Sequence, residues 1–488
     1  MLYLRTNVPQ FRNDLGEIIR IFYDVTEVEL TQETPLLHDD DALLQCDINS
    51  GVARSDFFIC NKVYTYIDRP IEESHSQLQQ KKLEKRSIKR ASFCAIKQSF
   101  SNFETPWGCL TGIRPTKLAR ELTSTIGEAK ARLMLADTFF VEQDKIDLLM
   151  DICTLQQPII SSTNQTNFDL YIGIPFCKTR CLYCSFAAYE LGKGCATPEG
   201  IEAYIEALLR EIKQNIPPII RKGYHIRSVY IGGGTPTALS CGQLSTVLEA
   251  ALETCGGFGL EFTVEAGRPD TITEEKLHML KRMGVSRISI NPQSMNDKTL
   301  QLIGRSHSSA QIKSAIKLAQ DIGFDSINMD TIIGLPGEDE RMVAYTMEQI
   351  ERLDPHNLTV HTLAIKRSSK LKAHLGEIEL PDAETAQKML DVSQQAAKRL
   401  HMEAYYMYRQ KYMRGNLENV GYCKKGKESI YNIDIMEETT NILALGAGAI
   451  TKWVYDAQSR IERQPNPKDV ASYIAKINEM TTRRLSMI

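Results

Sequence analysis

From residue 168 onward, apolar strand-length runs alternate with helix-patterned segments six times, and no other feature limits the fold as much. The runs are Leu170 to Phe176, Arg227 to Ile231, Leu260 to Val264, Ser286 to Ile290, Ser326 to Ile333 and Leu358 to Leu363. Helix signals lie between them. Thr197 is a capping hydroxyl before Pro198 at the first helical position, and Ile201, Tyr204, Ile205, Leu208 and Leu209 follow at helical spacing. Ser240, Thr273 and Asn296 are further candidate caps, with Gly256 and Gly284 as stops. Such alternation predicts a parallel sheet with right-handed crossovers, whose ligands gather at the strand carboxyl ends. An α/β fold with a partial (β/α)6 barrel is expected, because an open barrel leaves room for a large substrate.

The first run leads into Cys177, Cys181 and Cys184 at C-x3-C-x2-C spacing. Three thiolates are one short of the four that close a structural zinc site or fully ligate an iron–sulfur cluster. A [4Fe–4S] cluster held by three cysteines keeps one iron for a non-protein ligand. A radical S-adenosylmethionine (SAM) enzyme needs that open iron: SAM chelates it through its amino and carboxylate groups, and one electron cleaves the sulfonium to a 5′-deoxyadenosyl radical. The alternative is half of a zinc site, which needs a fourth ligand and usually a second, similarly spaced pair. No second C-x2-C and no H-x3-H occurs, and Cys195, Cys241 and His225 are near in sequence without ligand spacing.

The second run ends in Gly232-Gly233-Gly234-Thr235-Pro236, a backbone with no side chain to block close approach of a ligand. It is neither a dinucleotide fingerprint nor a phosphate loop, and a bare tight turn is the other reading. Glu265 and Asp330 supply acceptors for hydroxyls or an ammonium, Gln293 can donate or accept, and Arg305 can pair a carboxylate in bidentate fashion. Each falls at or after the carboxyl end of a run, so all would converge on one mouth of the sheet.

The stretch from Phe168 to about Ala364 resembles the radical SAM branch that contains oxygen-independent coproporphyrinogen III oxidase and its heme-chaperone-like relatives. The matching pieces are Tyr171-x-x-Ile174-Pro175-Phe176, the cysteine trio, the glycine run to Thr237, Glu265, Pro292-Gln293-Ser294, Arg305 and Met329-Asp330 with Gly334 to Gly337. The module from Pro106 to Lys117 (Pro-Trp-Gly-Cys-Leu-Thr-Gly-Ile-Arg-Pro-Thr-Lys) is similar to the long-headed subgroup usually called coproporphyrinogen dehydrogenase. The resemblance implies Cys177, Cys181 and Cys184 as cluster ligands. It implies Tyr171, Gly233, Gly234, Thr235, Glu265, Gln293, Arg305 and Asp330 as SAM contacts. Tyr183 is the position linked in the oxidase to a second SAM, and so a candidate catalytic residue. The resemblance further implies a tetrapyrrole substrate or heme, and an electron donor such as flavodoxin or ferredoxin. Two positions depart from the oxidase: it has a histidine where this chain has Gly173, and a cysteine where this chain has Phe186. Both departures bear on the second SAM and on the decarboxylation itself.

Four segments are expected around this core. Residues 1–70 read as a small α/β domain, with a strand at Met1 to Leu4, a helix at Leu15 to Tyr23, and strands at Leu43 to Asp47 and Asp56 to Tyr66. Residues 71–167 read as a helical extension, charged from Glu72 to Arg90, helical from Lys117 to about Leu155, and ending in a linker over 158–167. Residues 168–400 form the barrel, and 401–488 a C-terminal substrate or cover region. In that tail, Tyr405 to Arg414 mixes aromatic and basic residues, suited either to a carboxylated macrocycle or to ordinary core and docking surface. Leu445-Gly446-Ala447-Gly448 is a close-approach backbone, for packing or for a pocket.

A net charge of −3 gives no general case for nucleic-acid binding. The twelve cysteines are scattered apart from the trio, which argues against a disulfide framework. Met1 to Arg5 lacks a signal-peptide layout, and Ile442 to Ile450 is too short to span a bilayer, so a cytoplasmic protein is expected. Three functions compete: decarboxylation of coproporphyrinogen III, heme binding on the same scaffold, and radical modification of RNA or protein. The charge balance counts against RNA.

Overall fold

The computed structural model describes all residues except 24–27, 39, 75, 101–102, 256–260, 367, 412 and 456–459, and the side chain of 414. The chain forms two compact units, Met1–Asp151 with Arg409–Leu417, and Ile152–Tyr408 with Glu418–Ile488.

In the smaller unit, a mixed five-stranded sheet runs in the order Glu29–Leu30, Leu2–Thr6, Ala42–Asn49, Val52–Ile59, Lys62–Ile67. The helix Arg12–Phe22 buries Leu15, Ile18, Ile19 and Phe22. The run expected as one strand from Asp56 to Tyr66 is two strands. Cys60 and Asn61 both take left-handed φ (48° and 58°) and fold it into a hairpin. The charged helix Gln77–Lys97 buries Ile88, Ala91, Phe93 and Ile96 within this unit, while its charges occupy the other faces. Three helices follow, Pro115–Ile126, Glu128–Phe139 and Gln143–Ser161. The last runs through Pro158, so the first four residues of the expected linker are helical. Its residues from Ile152 belong to the larger unit, where Ile159 and Ile160 pack against the cluster of Tyr405, Tyr406, Cys423 and Ile433, and that burial holds the final turn.

The larger unit is built on an eleven-stranded sheet. Six strands are parallel and in chain order: Asn167–Ile174, His225–Gly233, Glu261–Glu265, Arg287–Ser289, Ser326–Ile333 and Asn357–Thr362. Helices Pro198–Arg221, Cys241–Cys255, Glu274–Arg282, Ser309–Ile322, Glu340–Leu353 and Ala383–Arg399 cross between or follow them. This is the partial (β/α)6 barrel of an α/β fold, open because both sheet edges continue into further strands instead of meeting. Asn419–Cys423 and Glu403–Tyr408 extend one edge antiparallel. At the other edge Asn441–Leu445 adds a seventh parallel strand beside the first, followed by the antiparallel Ile450–Tyr455 and Arg460–Pro465.

The caps at Thr197 and Thr273 form as expected, each hydroxyl accepting a backbone N–H three residues on, at 3.2 Å. Ser240 likewise accepts from Gln243 N at 3.2 Å. Asn296 does not cap its helix: its amide donates to Ser294, Glu338 and Thr346. Gly256 and Leu260 lie outside the described residues. Gly446 is a packing position, since a Cβ there would sit 2.5 Å from Gly173 O and 2.7 Å from the Tyr204 hydroxyl. Among the described residues, no helix is long and apolar enough to cross a membrane.

Candidate active site

The first barrel strand ends at Ile174, and a two-residue strand, Phe176–Cys177, carries the chain into the cysteine loop. That loop is tied to the barrel by backbone and side chain: Leu182 N–H donates to Ile303 O at 2.9 Å, and the Thr179 hydroxyl to Gly304 O at 2.8 Å. Cys184 N–H donates to Cys181 O at 3.2 Å, bending the loop back on itself. Cys181 is buried, Cys177 and Cys184 half-buried, and burial pushes the Cys177 thiol up to about 11. The Thr235 hydroxyl lies 3.6 Å from Cys177 Sγ.

The glycine run meets this loop directly. A Cβ on Gly234 would sit 2.6 Å from Phe176 O and 3.0 Å from Cys177 Sγ, so only glycine allows the second strand end to approach so closely. Gly233 has φ +111°, and the Tyr171 hydroxyl is 3.4 Å from where its Cβ would stand. Tyr171, Tyr230 and Tyr431 form a stack, with ring centroids 4.3 Å apart for Tyr230 and Tyr431 and 6.2 Å for Tyr171 with each. Tyr230 donates its hydroxyl proton to Glu265 at 2.6 Å. Burial, the dominant influence, raises the Glu265 carboxyl to about 7, aided by the Asp330 charge and opposed by the Tyr230 bond.

Gln293 holds a left-handed φ of +67° in a bridge to the fifth strand. Its N–H donates to Asp330 O at 2.9 Å and its O accepts from Ile332 N at 3.0 Å. Its Oε1 is buried without a hydrogen-bond partner, which such an atom tolerates only at a cost or with a ligand. Asp330 accepts from Asn328 Nδ2 at 2.7 Å and faces His361 Nε2 at 3.8 Å. Burial works to raise its carboxyl, but His361, Asn328 and Thr359 outweigh burial and hold it below the ordinary carboxylate range. Arg305 donates to Asn291 O at 2.6 Å and Gly267 O at 3.1 Å, and its other terminal nitrogen to the Tyr183 hydroxyl at 3.3 Å. Tyr183 thus stands beside the arginine, inside the cysteine loop.

The structure brings Cys177, Gly233, Gly234, Thr235, Tyr171 and Glu265 into one contiguous set, and pairs Gln293 with Asp330 and Arg305 with Tyr183. The basic tail residues belong to the smaller unit. Arg409 belongs to the smaller unit, is 4% exposed, and donates to the carbonyls of Leu110, Leu417 and Asn416 with its guanidinium 5.0 Å over the Trp107 ring. A guanidinium so engaged has no face left for a carboxylate, so the expectation that it meets a macrocycle is corrected. The same holds for Tyr405 and Tyr406, both core residues. Lys411 pairs with Glu17 at 3.2 Å in the smaller unit, and the side chain of Arg414 is outside the described residues.

Sequence reading missed Arg268, Asn291, Tyr230, Tyr431 and His361. Arg268 had a signal, since Gly267-Arg268-Pro269-Asp270 follows the third strand end just as the glycine run follows the second. Tyr431 had none, because it arrives from a helix, Ile430–Glu437, distant in sequence.

The donor set fits an iron–sulfur cluster and SAM on three counts: three thiols in one loop, a cradle that a Cβ at Gly234 would fill, and the orphaned Gln293 oxygen. Among the described residues, no three His, Cys, Asp or Glu side chains are placed to hold a single metal ion.

Comparison with known proteins agrees with this geometry. The family model described as the radical SAM superfamily matches residues 171–350. The oxygen-independent coproporphyrinogen-III oxidase-like protein HemZ of Bacillus subtilis (strain 168) is 37% identical over 80% of this chain and 78% of its own length. The heme chaperone HemW of the same organism is 30% identical over 57% of this chain and 69% of its own. Among solved structures, coproporphyrinogen III oxidase of Escherichia coli aligns with a TM-score of 0.53, covering 67% of this chain and 73% of that one. At 23% identity that alignment speaks to the fold alone.

Proposed function

Because the chain belongs to the radical SAM family of oxygen-independent coproporphyrinogen-III oxidase-like proteins, we propose that it oxidatively decarboxylates two propionates of coproporphyrinogen III to vinyl groups without oxygen. The observation that supports the cluster and SAM part of this reading is the close approach of Gly234 to Cys177, which brings the glycine run against the cysteine loop. Cys177, Cys181 and Cys184 would hold a [4Fe–4S] cluster, and Tyr171, Gly233, Gly234, Thr235, Glu265, Gln293, Arg305 and Asp330 would hold SAM. When bound, the cluster supplies the electron that cleaves SAM, and the resulting carbon radical can take a hydrogen from substrate.

The protein's own contribution is positioning. Gln293 Oε1 offers an acceptor already stripped of water, and Asp330 remains ionised to receive an ammonium or hydroxyl. Glu265, raised toward neutrality, can accept from a ribose hydroxyl, or donate when protonated. Tyr183 is kept in place by Arg305 at the edge of the cysteine loop. Each propionate would lose a β-hydrogen atom, CO2 and, to an external one-electron acceptor, one further electron.

A second reading, heme binding without decarboxylation, is favoured by the two departures. A Cβ on Gly173 would lie 3.3 Å from the Tyr171 ring, so a side chain there requires that ring to give by a few tenths of an ångström. Phe186, where the oxidase has a cysteine, is 67% exposed. The deciding experiment is anaerobic incubation of cluster-reconstituted protein with coproporphyrinogen III, SAM and a reductant. SAM-dependent protoporphyrin fluorescence after oxidation of the product is expected. Stoichiometric heme binding with no such product would select the second reading.

A further inference from the structure

We infer that Arg268 is a positioning residue that both fixes the cysteine loop and sets the reduction potential of the cluster through Cys181, an inference that rests on the cluster-binding reading above. The geometry joins it to the loop at two residues. Its Nη1 donates to Thr179 O at 3.0 Å, to Thr179 Oγ1 at 2.7 Å and toward Cys181 Sγ at 3.9 Å. Its Nη2 donates to Ser306 Oγ at 3.2 Å, and its Nε to Asp270 Oδ1 at 3.3 Å. All three nitrogens are therefore engaged, and the residue is 3% exposed. A lysine could not reproduce this, because an ammonium is a point charge without the planar fork.

The thiol it addresses is the most enclosed of the three: Cys181 is buried, while Cys177 and Cys184 are half-buried. Burial disfavours a charged thiolate, so a buried cation beside it offsets that cost. Hydrogen bonds to cluster sulfurs and nearby charge are levers that set iron–sulfur potentials. Adding an electron to the cluster makes it more negative, and a fixed guanidinium favours that state. Arg268 is in turn held by Asp270, which also faces Lys178 at 3.3 Å and His307 at 3.6 Å. Asp270 partly cancels the guanidinium charge, so the two residues should move the potential in opposite directions.

The test is a mediated potentiometric titration of the reconstituted full-length protein without SAM, followed by the electron paramagnetic resonance signal of the reduced cluster. Iron and sulfide content are measured alongside. Arg268→Met is expected to shift the midpoint to a more negative value, Arg268→Lys to a value between Met and wild type, and Asp270→Asn to a less negative value than wild type. A cluster-loaded Arg268→Met with the wild-type midpoint would overturn the inference. If Arg268→Met yields no folded protein, Asp270→Asn decides, and an unchanged or more negative midpoint there overturns it. Wild-type protein that takes up no iron or sulfide overturns the cluster reading itself and this inference with it, which separates the two failures.

Discussion

The two ends of the barrel both bury carboxylates, and they treat them differently. Near the amino ends of the strands, Asp169 accepts from Ser228 at 2.6 Å and Thr440 at 2.7 Å. Asp434 accepts from Arg227 Nε at 2.7 Å and Thr439 at 2.6 Å, and the two terminal nitrogens of Arg227 donate to Ser162 and Ile159. Both oxygens of each carboxylate and all three side-chain nitrogens of Arg227 have a protein partner. At the carboxyl ends, Gln293 Oε1 has none, Glu265 accepts from Tyr230 and the Gly233 backbone, and Gly233 and Gly234 are half-buried. A closed network stabilises the fold, whereas an open one at the same depth persists because binding a ligand recovers its cost.

The largest expected effect breaks the open end outright. Replacing any one of Cys177, Cys181 or Cys184 by Ala is expected to abolish reductive SAM cleavage, because a lost thiolate exposes a second iron. The check is 5′-deoxyadenosine release under anaerobic reduction, and wild-type yield from a triple Ala variant would remove the central assignment. Next comes the closed end. Arg227→Met leaves Asp434 buried without its cation and should cost about 3–5 kcal/mol of stability. Chemical denaturation measures that loss, while SAM affinity of the folded fraction should be unchanged.

A smaller effect separates affinity from stability at the mouth. Asp330→Ala should weaken SAM binding by about 1–3 kcal/mol through loss of an ionised acceptor. Calorimetric titration of reconstituted protein would read it, and unaltered affinity would remove Asp330 from the SAM contacts. The smallest is a pH slope. Glu265 is raised from 4.5 to about 7 in the folded protein, so between those values the native state holds a proton that the unfolded chain has released. Its contribution therefore favours the fold at low pH and is lost as pH rises through about 7. Relative to Glu265→Gln, wild type should lose at most about 1.4 kcal/mol per pH unit within this window, read from urea midpoints. A parallel pair of curves would mean that the mouth does not desolvate Glu265.

Much of the site was legible in the sequence because its parts are local. A strand, a cysteine loop at fixed spacing and a glycine run at the next strand end each carry their own pattern, and the carboxyl-end rule assembles them without knowledge of any contact. The caps at Thr197 and Thr273 are local in the same sense. The split of the expected Asp56 to Tyr66 strand at Cys60 and Asn61 is local too, but neither residue is glycine, so composition gave no warning of two left-handed φ values.

Long-range partners were decided only by the tertiary structure. Arg409 reads as a free cation among tyrosines, yet three carbonyls and Trp107 consume it, and their positions depend on how the segment Arg409–Leu417 folds with residues far earlier in the chain. Asn296 has a cap's identity and position, but Ser294, Glu338 and Thr346 compete for its amide and win. Arg268 gains its meaning from a distance of 3.9 Å to a sulfur 87 residues away. By itself the sequence determined the barrel, its mouth and the thiols there, because strand periodicity, turn chemistry and ligand spacing act over a few residues. Which polar groups are consumed by the fold and which stay open to a ligand was left to tertiary packing, because hydrogen-bond satisfaction is settled between residues that only folding brings together.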